Sequence, residues 1–387
     1  MIIEIWFIIC TVFLGSSSVY YVYTKRMSQK PWNVKFNAQY QPKVAILVPL
    51  HNEEKAIQLK LRNLDRIVYP SDKFEIVLAN DASTDRTLEE VEAFKANNKS
   101  LKIRIFTSNE HIGKTSCLNR ALKSIDADVI VMSDADCFWP TDILTKAIPF
   151  LSDPDVGAVC ARELILNPQE SWVTKGEQFF DSTVESIRIG ESKIHSTVIF
   201  HGGFAVFKRA ILEEFDGEVD DSGTALSIIQ KDHRTLLLPE TGFFTPFPTL
   251  WKNKLVIKLR RATQLQHLWA KCLKLMVEGK LRMPKRIALP EIFLHIFNPL
   301  LLLALVATTL VGFTQYPLFF GAFLLLFGGT LLVQKTRPIV LEVLQNNLIL
   351  LASLSSFFTR RDFRLWKTVQ ESRSFITEVA LKEKNLL

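Results

Sequence analysis

Cysteine is scarce in this chain and never paired: the five residues, at positions 10, 117, 137, 160 and 272, share no short spacing. That pattern excludes a disulfide framework and a zinc site, and an odd, scattered set fits a reduced cytosolic domain. The first residues lack positive charge, and no small-residue cleavage site precedes Lys25, Arg26 and Lys30. A cleaved signal peptide is therefore not expected. Internal repeats are missing, and so are low-complexity tracts other than apolar runs. With 48% hydrophobic residues, the 387 positions fit one α/β domain of about 200 residues plus membrane segments.

Acidic residues are the minority, 40 against 47 Lys and Arg, for a formal net charge of +7. Such an excess suits nucleic acid or a membrane surface, and here the cations cluster beside apolar runs. A lipid surface is favoured and no nucleic-acid partner is expected.

The apolar runs set the organisation. Residues 1–24 read as a transmembrane helix, since positions 2 to 23 are interrupted only by Glu4 and a few small polar residues. About 20 residues suffice to cross a bilayer. The cations that follow place the next domain in the cytoplasm by the positive-inside rule. Residues 250–286 carry eleven Lys or Arg and one Glu, with Leu255, Leu259, Ala262, Leu265, Trp269, Cys272 and Met276 at steps of three and four. This predicts a basic amphipathic helix in the headgroup layer, packing on the soluble domain being the other reading.

Residues 290–358 read as a second membrane region. Two spans, 291–313 and 317–333, are joined by a turn at Thr314 to Pro317 and followed by Lys335 and Arg337. A third run, 338–358, is interrupted by Glu342, Gln345, Asn346 and Asn347 and flanked by Arg360, Arg361 and Arg364. It reads as an interfacial or re-entrant helix, with a crossing left open. Residues 359–387 read as a basic cytoplasmic tail. The layout is that of an integral protein of the cell membrane.

Chemistry concentrates between these runs, in 42–245. VIVMSDADCF (129–138) is a β-type run bringing Asp134 and Asp136 to its end. Two residues apart in an extended chain, their carboxylates point the same way and can share a hard cation. Mg²⁺ and Mn²⁺ commonly bind through one or two carboxylates plus substrate phosphates. Taken alone, such a pair is more often a turn with an Asx cap.

Its company decides. VAILVPLHNEE (44–54) and FEIVLANDASTDRT (74–87) are further strand runs with polar ends, and HIGKTSCLNRAL (111–122) carries Gly113 and Lys114. Strands alternating with helices predict a mostly parallel α/β sheet with ligand groups at the strands' carboxyl ends. Gly113-Lys114-Thr115 does not complete a P-loop, because position 108 is Ser rather than Gly.

In this order and spacing the four segments resemble the nucleotide-sugar domain of the family 2 glycosyltransferases, including the hyaluronan, chitin and cellulose synthase branch. The resemblance implies a GT-A fold over 42–245. It places Pro49, His51 and Glu53 at the nucleotide, with His51 where the family more often has Tyr. It puts Asp81 at the base, with Asn80 in place of the usual preceding Asp. It implies that Gly113 and Lys114 lie beside the nucleotide, and that Asp134 and Asp136 hold Mg²⁺ or Mn²⁺. The Gln-x-x-Arg-Trp motif of polymer-making relatives is degenerate, with Trp269 preceded by Leu268 and with Gln264 and Gln266 out of register.

HGGFAVFKR (201–209) offers Gly202 and Gly203 for close backbone approach to a ligand, or for a plain turn. EVDDSGTAL (218–226) offers Asp220 and Asp221 ahead of a helix. An inverting sugar transfer needs one carboxylate to deprotonate the acceptor hydroxyl, and Asp221 is the preferred candidate. A helix N-cap is the competing role for either residue. The expected activity is transfer of a sugar from a nucleotide-sugar donor, UDP-linked by expectation, to a polysaccharide or lipid-linked acceptor at the cytoplasmic leaflet. The alternative is a catalytically silent membrane scaffold or sensor for a partner protein.

Overall fold

The strands are two-faced because their sequences are. In β1 (Val44–Leu50), Val44, Ile46 and Val48 enter one core cluster while Ala45 and Leu47 enter another. β2 (Phe74–Asp81) divides Ile76 and Leu78 from Val77 and Ala79 in the same way. β4 (Val129–Met132) divides Val129 and Val131 from Ile130 and Met132. A continuous apolar run is thus the signature of a strand covered on both faces, as in a parallel sheet. Burying each Val, Ile, Leu or Met side chain among them contributes about 1.5–3 kcal/mol.

With β3 (Ile103–Ser108), β5 (Val156–Ile165), β6 (Ala205–Lys208) and β7 (Arg234–Thr245), these strands form one seven-stranded sheet ordered β3-β2-β1-β4-β6-β5-β7. β6 alone runs antiparallel to its neighbours β4 and β5; the other pairings are parallel. The expected α/β, mostly parallel GT-A arrangement is what the chain adopts. The carboxyl ends of β1, β2 and β4 lie side by side, and each runs into a segment of expected site residues.

The computed structural model describes residues 1–334, 337–355 and 370–387, without the side chains of Asp220, Pro338, Ile339 and Gln370. Lys335, Arg360, Arg361 and Arg364 lie outside the described residues. The chain divides into two compact units, Met27–Lys254 with Asp362–Leu387, and Met1–Arg26 with Leu255–Arg361.

The first unit holds the sheet. It also holds residues 370–387, where a tail was expected. There Ile376, Leu381 and Leu386 are buried in one cluster with Ala56, Phe138 and Leu166. Asn63 Nδ2 donates to the Leu386 carbonyl at 2.8 Å, and Arg62 pairs with Glu378 at 3.3 Å. Ile376, Leu381 and Leu386 thus anchor a segment that otherwise carries Lys and Glu.

The second unit is helical. Two helices, Ile2–Ser28 and Lys285–Gln315, are long and apolar enough to cross a membrane. The second has Pro290 inside it and a wide π turn at Phe293–Phe297, the kind of local adjustment that accommodates a proline. Trp6 donates to Thr309 Oγ1 at 2.8 Å and meets Phe319, Phe320 and Phe323 edge to face.

The helix Trp251–Val277 departs from the expected stripe. Ala262, Trp269 and Cys272 are buried, but so are Lys258 and Gln266, while Leu265 and Met276 are only half-buried. Gln266 explains this: its amide donates to the carbonyls of His295 at 3.2 Å and Leu350 at 2.7 Å and accepts from Ser353 Oγ at 2.8 Å. Asn347, one of the polar interruptions in the third run, lies in the helix Arg337–Leu354 and receives a bond from Asn298, of the helix Lys285–Gln315, at 3.3 Å. Those polar residues join helix to helix, the role such side chains take where water is scarce.

Candidate functional site

The loops after β1 and β2 are stitched to each other. Asn52 adopts a left-handed φ of 55°, which Asn tolerates better than most residues, and its Oδ1 accepts from Thr84 N at 2.8 Å. Asn52 N donates to Ser83 Oγ, Glu53 N to Thr87 Oγ1 and Glu54 N to Asp85 Oδ2, at 3.1, 2.8 and 3.1 Å. Ser83, Thr84 and Asp85, in the polar end of the 74–87 run, therefore fix the His51–Glu54 segment.

Asp81 sits at the end of β2 with its carboxylate nearly enclosed. Oδ1 accepts from Ile112 N and Oδ2 from Gly113 N, both at 2.8 Å, and His111 Nδ1 lies 2.8 Å from Oδ2. Gly113 has φ of 88°, a conformation that suits glycine, where it opens the helix Lys114–Leu122. Above this anchor the rings of His51 and His111 stack at 4.1 Å between centroids, and His51 Nδ1 is 2.7 Å from the Asp81 carbonyl. His111 was not singled out from sequence, although it stands two residues before Gly113.

Asp134 and Asp136 do converge, by a different route from strand alternation. β4 ends at Met132, and Asp134 to Cys137 form a turn closed by Cys137 N donating to the Asp134 carbonyl at 3.3 Å. Their carboxylate oxygens and Cys137 Sγ lie within 4.8 Å of one another. Lys60, which is fully buried, ties the start of this turn to its end from beneath. Lys60 Nζ donates to Ser133 Oγ at 2.6 Å and to the Cys137 carbonyl at 2.5 Å, and sits 4.5 Å from the Trp139 ring. Burial draws the Lys60 ammonium down to about 8, against the pull of Cys137 and the two aspartates.

Gly202 is where the expected residues meet. A Cβ there would lie 2.6 Å from Asp134 Oδ2, 2.9 Å from Asp221 Oδ2 and 2.9 Å from Lys114 Nζ. Lys114 pairs with Asp134 at 2.8 Å, and Asp134 N donates to the Gly202 carbonyl at 2.9 Å. Gly203 plays a separate part, its missing side chain making room for the Phe243 ring. Its carbonyl accepts from Trp139 Nε1 at 2.7 Å.

Neither aspartate is a helix N-cap. Val219 occupies that position and the helix is Asp220–Gln230, so Asp221 already lies inside the first turn. The approach is shaped by Asp216, whose Oδ1 accepts from Glu218 N and Val219 N, both at 2.8 Å. Pro49 is half-buried on β1, opposite Ala79.

Arg373, like Lys60, is a charged group that sequence reasoning missed. Its side chain, from the docked segment, is 5% exposed and places Nη2 2.6 Å from Glu53 Oε1 and Nη1 against Asp136 Oδ2. Glu53, expected at the nucleotide, is thereby tied to the acidic turn. Burial pushes its carboxyl up to about 7, with Arg373 pulling the other way. The two aspartates, partly exposed and backed by a rigid turn, are a donor set that suits Mg²⁺ or Mn²⁺, whose remaining positions would go to water and phosphate.

Residues 45–216 match the family model "Glycosyl transferase family 2". A mannosyltransferase structure from Pyrobaculum calidifontis, in complex with GDP-Man and Mn2+, is 29% identical, with a TM-score of 0.79 over 94% of this chain and 100% of that one. The beta-monoglucosyldiacylglycerol synthase of Synechocystis sp. is 30% identical over 136 residues, 35% of this chain and 28% of that protein. The poly-beta-1,6-N-acetyl-D-glucosamine synthase of Staphylococcus epidermidis is 27% identical over 203 residues, 51% of this chain and 47% of that protein. The chain thus spans less than half the length of these two curated relatives.

Proposed function

Residues 45–216 make this chain a member of glycosyl transferase family 2, and from that premise we propose that it is a membrane-attached, metal-dependent, inverting glycosyltransferase. The observation that carries the proposal is the convergence of Asp134, Asp221 and Lys114 around the bare Cα of Gly202. In this reading Asp221 is the base that takes the proton from the acceptor hydroxyl. Lys114 faces the diphosphate, and Asp134 with Asp136 holds Mg²⁺ or Mn²⁺. When bound, the metal offsets the charge that develops on the departing diphosphate. Stacked His51 and His111 supply a flat wall for the nucleotide base, over a loop that Asp81 holds rigid.

The two apolar helices support attachment to the cell membrane, and the cations after the first support a cytoplasmic catalytic domain. The donor is a nucleoside diphosphate sugar. A uridine nucleotide is the expectation that accompanies the family resemblance, whereas the structural neighbour that covers nearly the whole chain was solved with GDP-Man and favours guanosine. The acceptor is a lipid, a lipid-linked sugar or a growing polysaccharide, in keeping with the relatives' names.

The deciding experiment is hydrolysis and transfer by the full-length protein in lipid, across UDP-, GDP- and nucleoside-monophosphate-linked sugars, with Mn²⁺, Mg²⁺ or EDTA. Metal-dependent release of one nucleotide is the expected result, and the product mass then separates single transfer from polymer. Silence across the panel with no nucleotide binding would move the chain to a scaffold or sensor for a partner protein.

A further inference from the structure

Arg373 lies far outside the residues that match the family model, yet its guanidinium is buried in the candidate donor site. Its two partners are the carboxylates of Glu53, 4% exposed, and Asp136, 17% exposed. Removing a guanidinium from water is costly unless its hydrogen bonds are met, so so buried an arrangement needs a reason. The segment that delivers it is firmly seated. Glu371, two residues before, accepts from Thr249 N at 2.9 Å, Thr249 Oγ1 at 2.6 Å and Leu250 N at 3.2 Å. Thr377, four residues after, caps the helix Glu378–Glu383 by accepting from Ala380 N at 3.2 Å. Arg373 is thus held from both sides, with its charge at the acidic turn.

We propose that Arg373 is a donor-site residue that couples metal binding to nucleotide binding. The inference rests on the glycosyltransferase reading above. A divalent cation on Asp136 and a guanidinium on the same carboxylate repel each other and compete for its oxygens. Metal arriving alone must therefore displace Arg373 into a site that offers it only Glu53. Metal arriving with a nucleoside diphosphate brings phosphate oxygens, which a guanidinium pairs with in a two-pronged geometry that Lys cannot match. The same residue then opposes the bare metal and favours the metal–nucleotide complex. That is a coupling free energy between two ligands, written into one side chain.

Calorimetry on the full-length protein in lipid nanodiscs tests this, with MnCl₂ alone and with GDP and UDP in the presence of Mn²⁺. Arg373→Ala should bind Mn²⁺ alone about tenfold more tightly and the preferred nucleoside diphosphate about tenfold more weakly, within the usual range of such couplings. Arg373→Gln keeps a hydrogen-bonding amide in the pocket and removes only the charge, so it should shift both affinities in the same opposite directions. Thermal unfolding checks that each variant keeps its fold. Both affinities falling together, or neither changing, would overturn the assignment. Wild-type protein that binds neither Mn²⁺ nor either nucleotide overturns the proposed function and this coupling together, whereas normal wild-type binding left untouched by both variants overturns the coupling alone.

Discussion

The Cα of Gly202 faces the carboxylate of Asp221 so closely that a methyl group on it would sit 2.9 Å from Oδ2. The same methyl would lie 2.6 Å from Asp134 Oδ2 and 2.9 Å from Lys114 Nζ. These are the far ends of side chains that can turn aside, so the fold tolerates the change and the alignment of the site does not.

Gly202→Ala should therefore leave thermal stability within about 1 kcal/mol of wild type and lower transfer by about 100-fold, the size of effect expected from an ångström of misplacement. Steady-state transfer with thermal unfolding of the same samples checks it. A large loss of stability would mean that Gly202 serves packing rather than the site.

Asp136→Ala should reduce metal-dependent turnover by more than about 100-fold with the fold intact. The side chain is partly exposed, and its described partners are Arg373 and the neighbouring Cys137. Titration of activity against Mn²⁺ is the measurement; unchanged activity would sink the metal-site assignment.

Asp221→Asn should keep nucleotide affinity near normal and lower transfer by about 100- to 10,000-fold, because the isosteric amide preserves shape and cannot take a proton. If Asp220→Asn does so and Asp221→Asn does not, the base is misassigned by one residue. Nucleotide binding and single-turnover transfer, measured side by side, separate the cases.

How much of this could be read beforehand depended on whether a signal was local. β1, β2 and β4 announce themselves because a strand covered on both faces must be apolar at successive positions, and the polar residues that follow fall at the sheet's carboxyl edge for the same reason. Asp134 and Asp136 were found, but Lys60 draws Ser133 and the Cys137 carbonyl together, so their convergence belongs to a turn. Lys60 itself carried a signal that was passed over. It shares a helical face with Ile57, Leu61 and Leu64, all buried, which marks it as an inward-facing cation. Arg373 carried none. It lies 237 residues from Asp136, among Glu371, Ser372 and Ser374, and only tertiary packing reveals its partner.

Lys254 and Glu177 give a prediction about stability alone. Their side chains are 1% and 2% exposed and pair at 3.1 Å, a charge pair taken almost wholly out of water. The attraction offsets much of the cost of burial, so removing one member leaves the buried charge of the other less well compensated. Lys254→Met should destabilise the folded state by about 3–5 kcal/mol, and the double variant with Glu177→Leu should recover most of that loss. Thermal unfolding of the full-length single and double variants, under one set of conditions, is the check. A double variant as unstable as Lys254→Met would show that packing of the lysine stem, rather than its charge, holds this contact together.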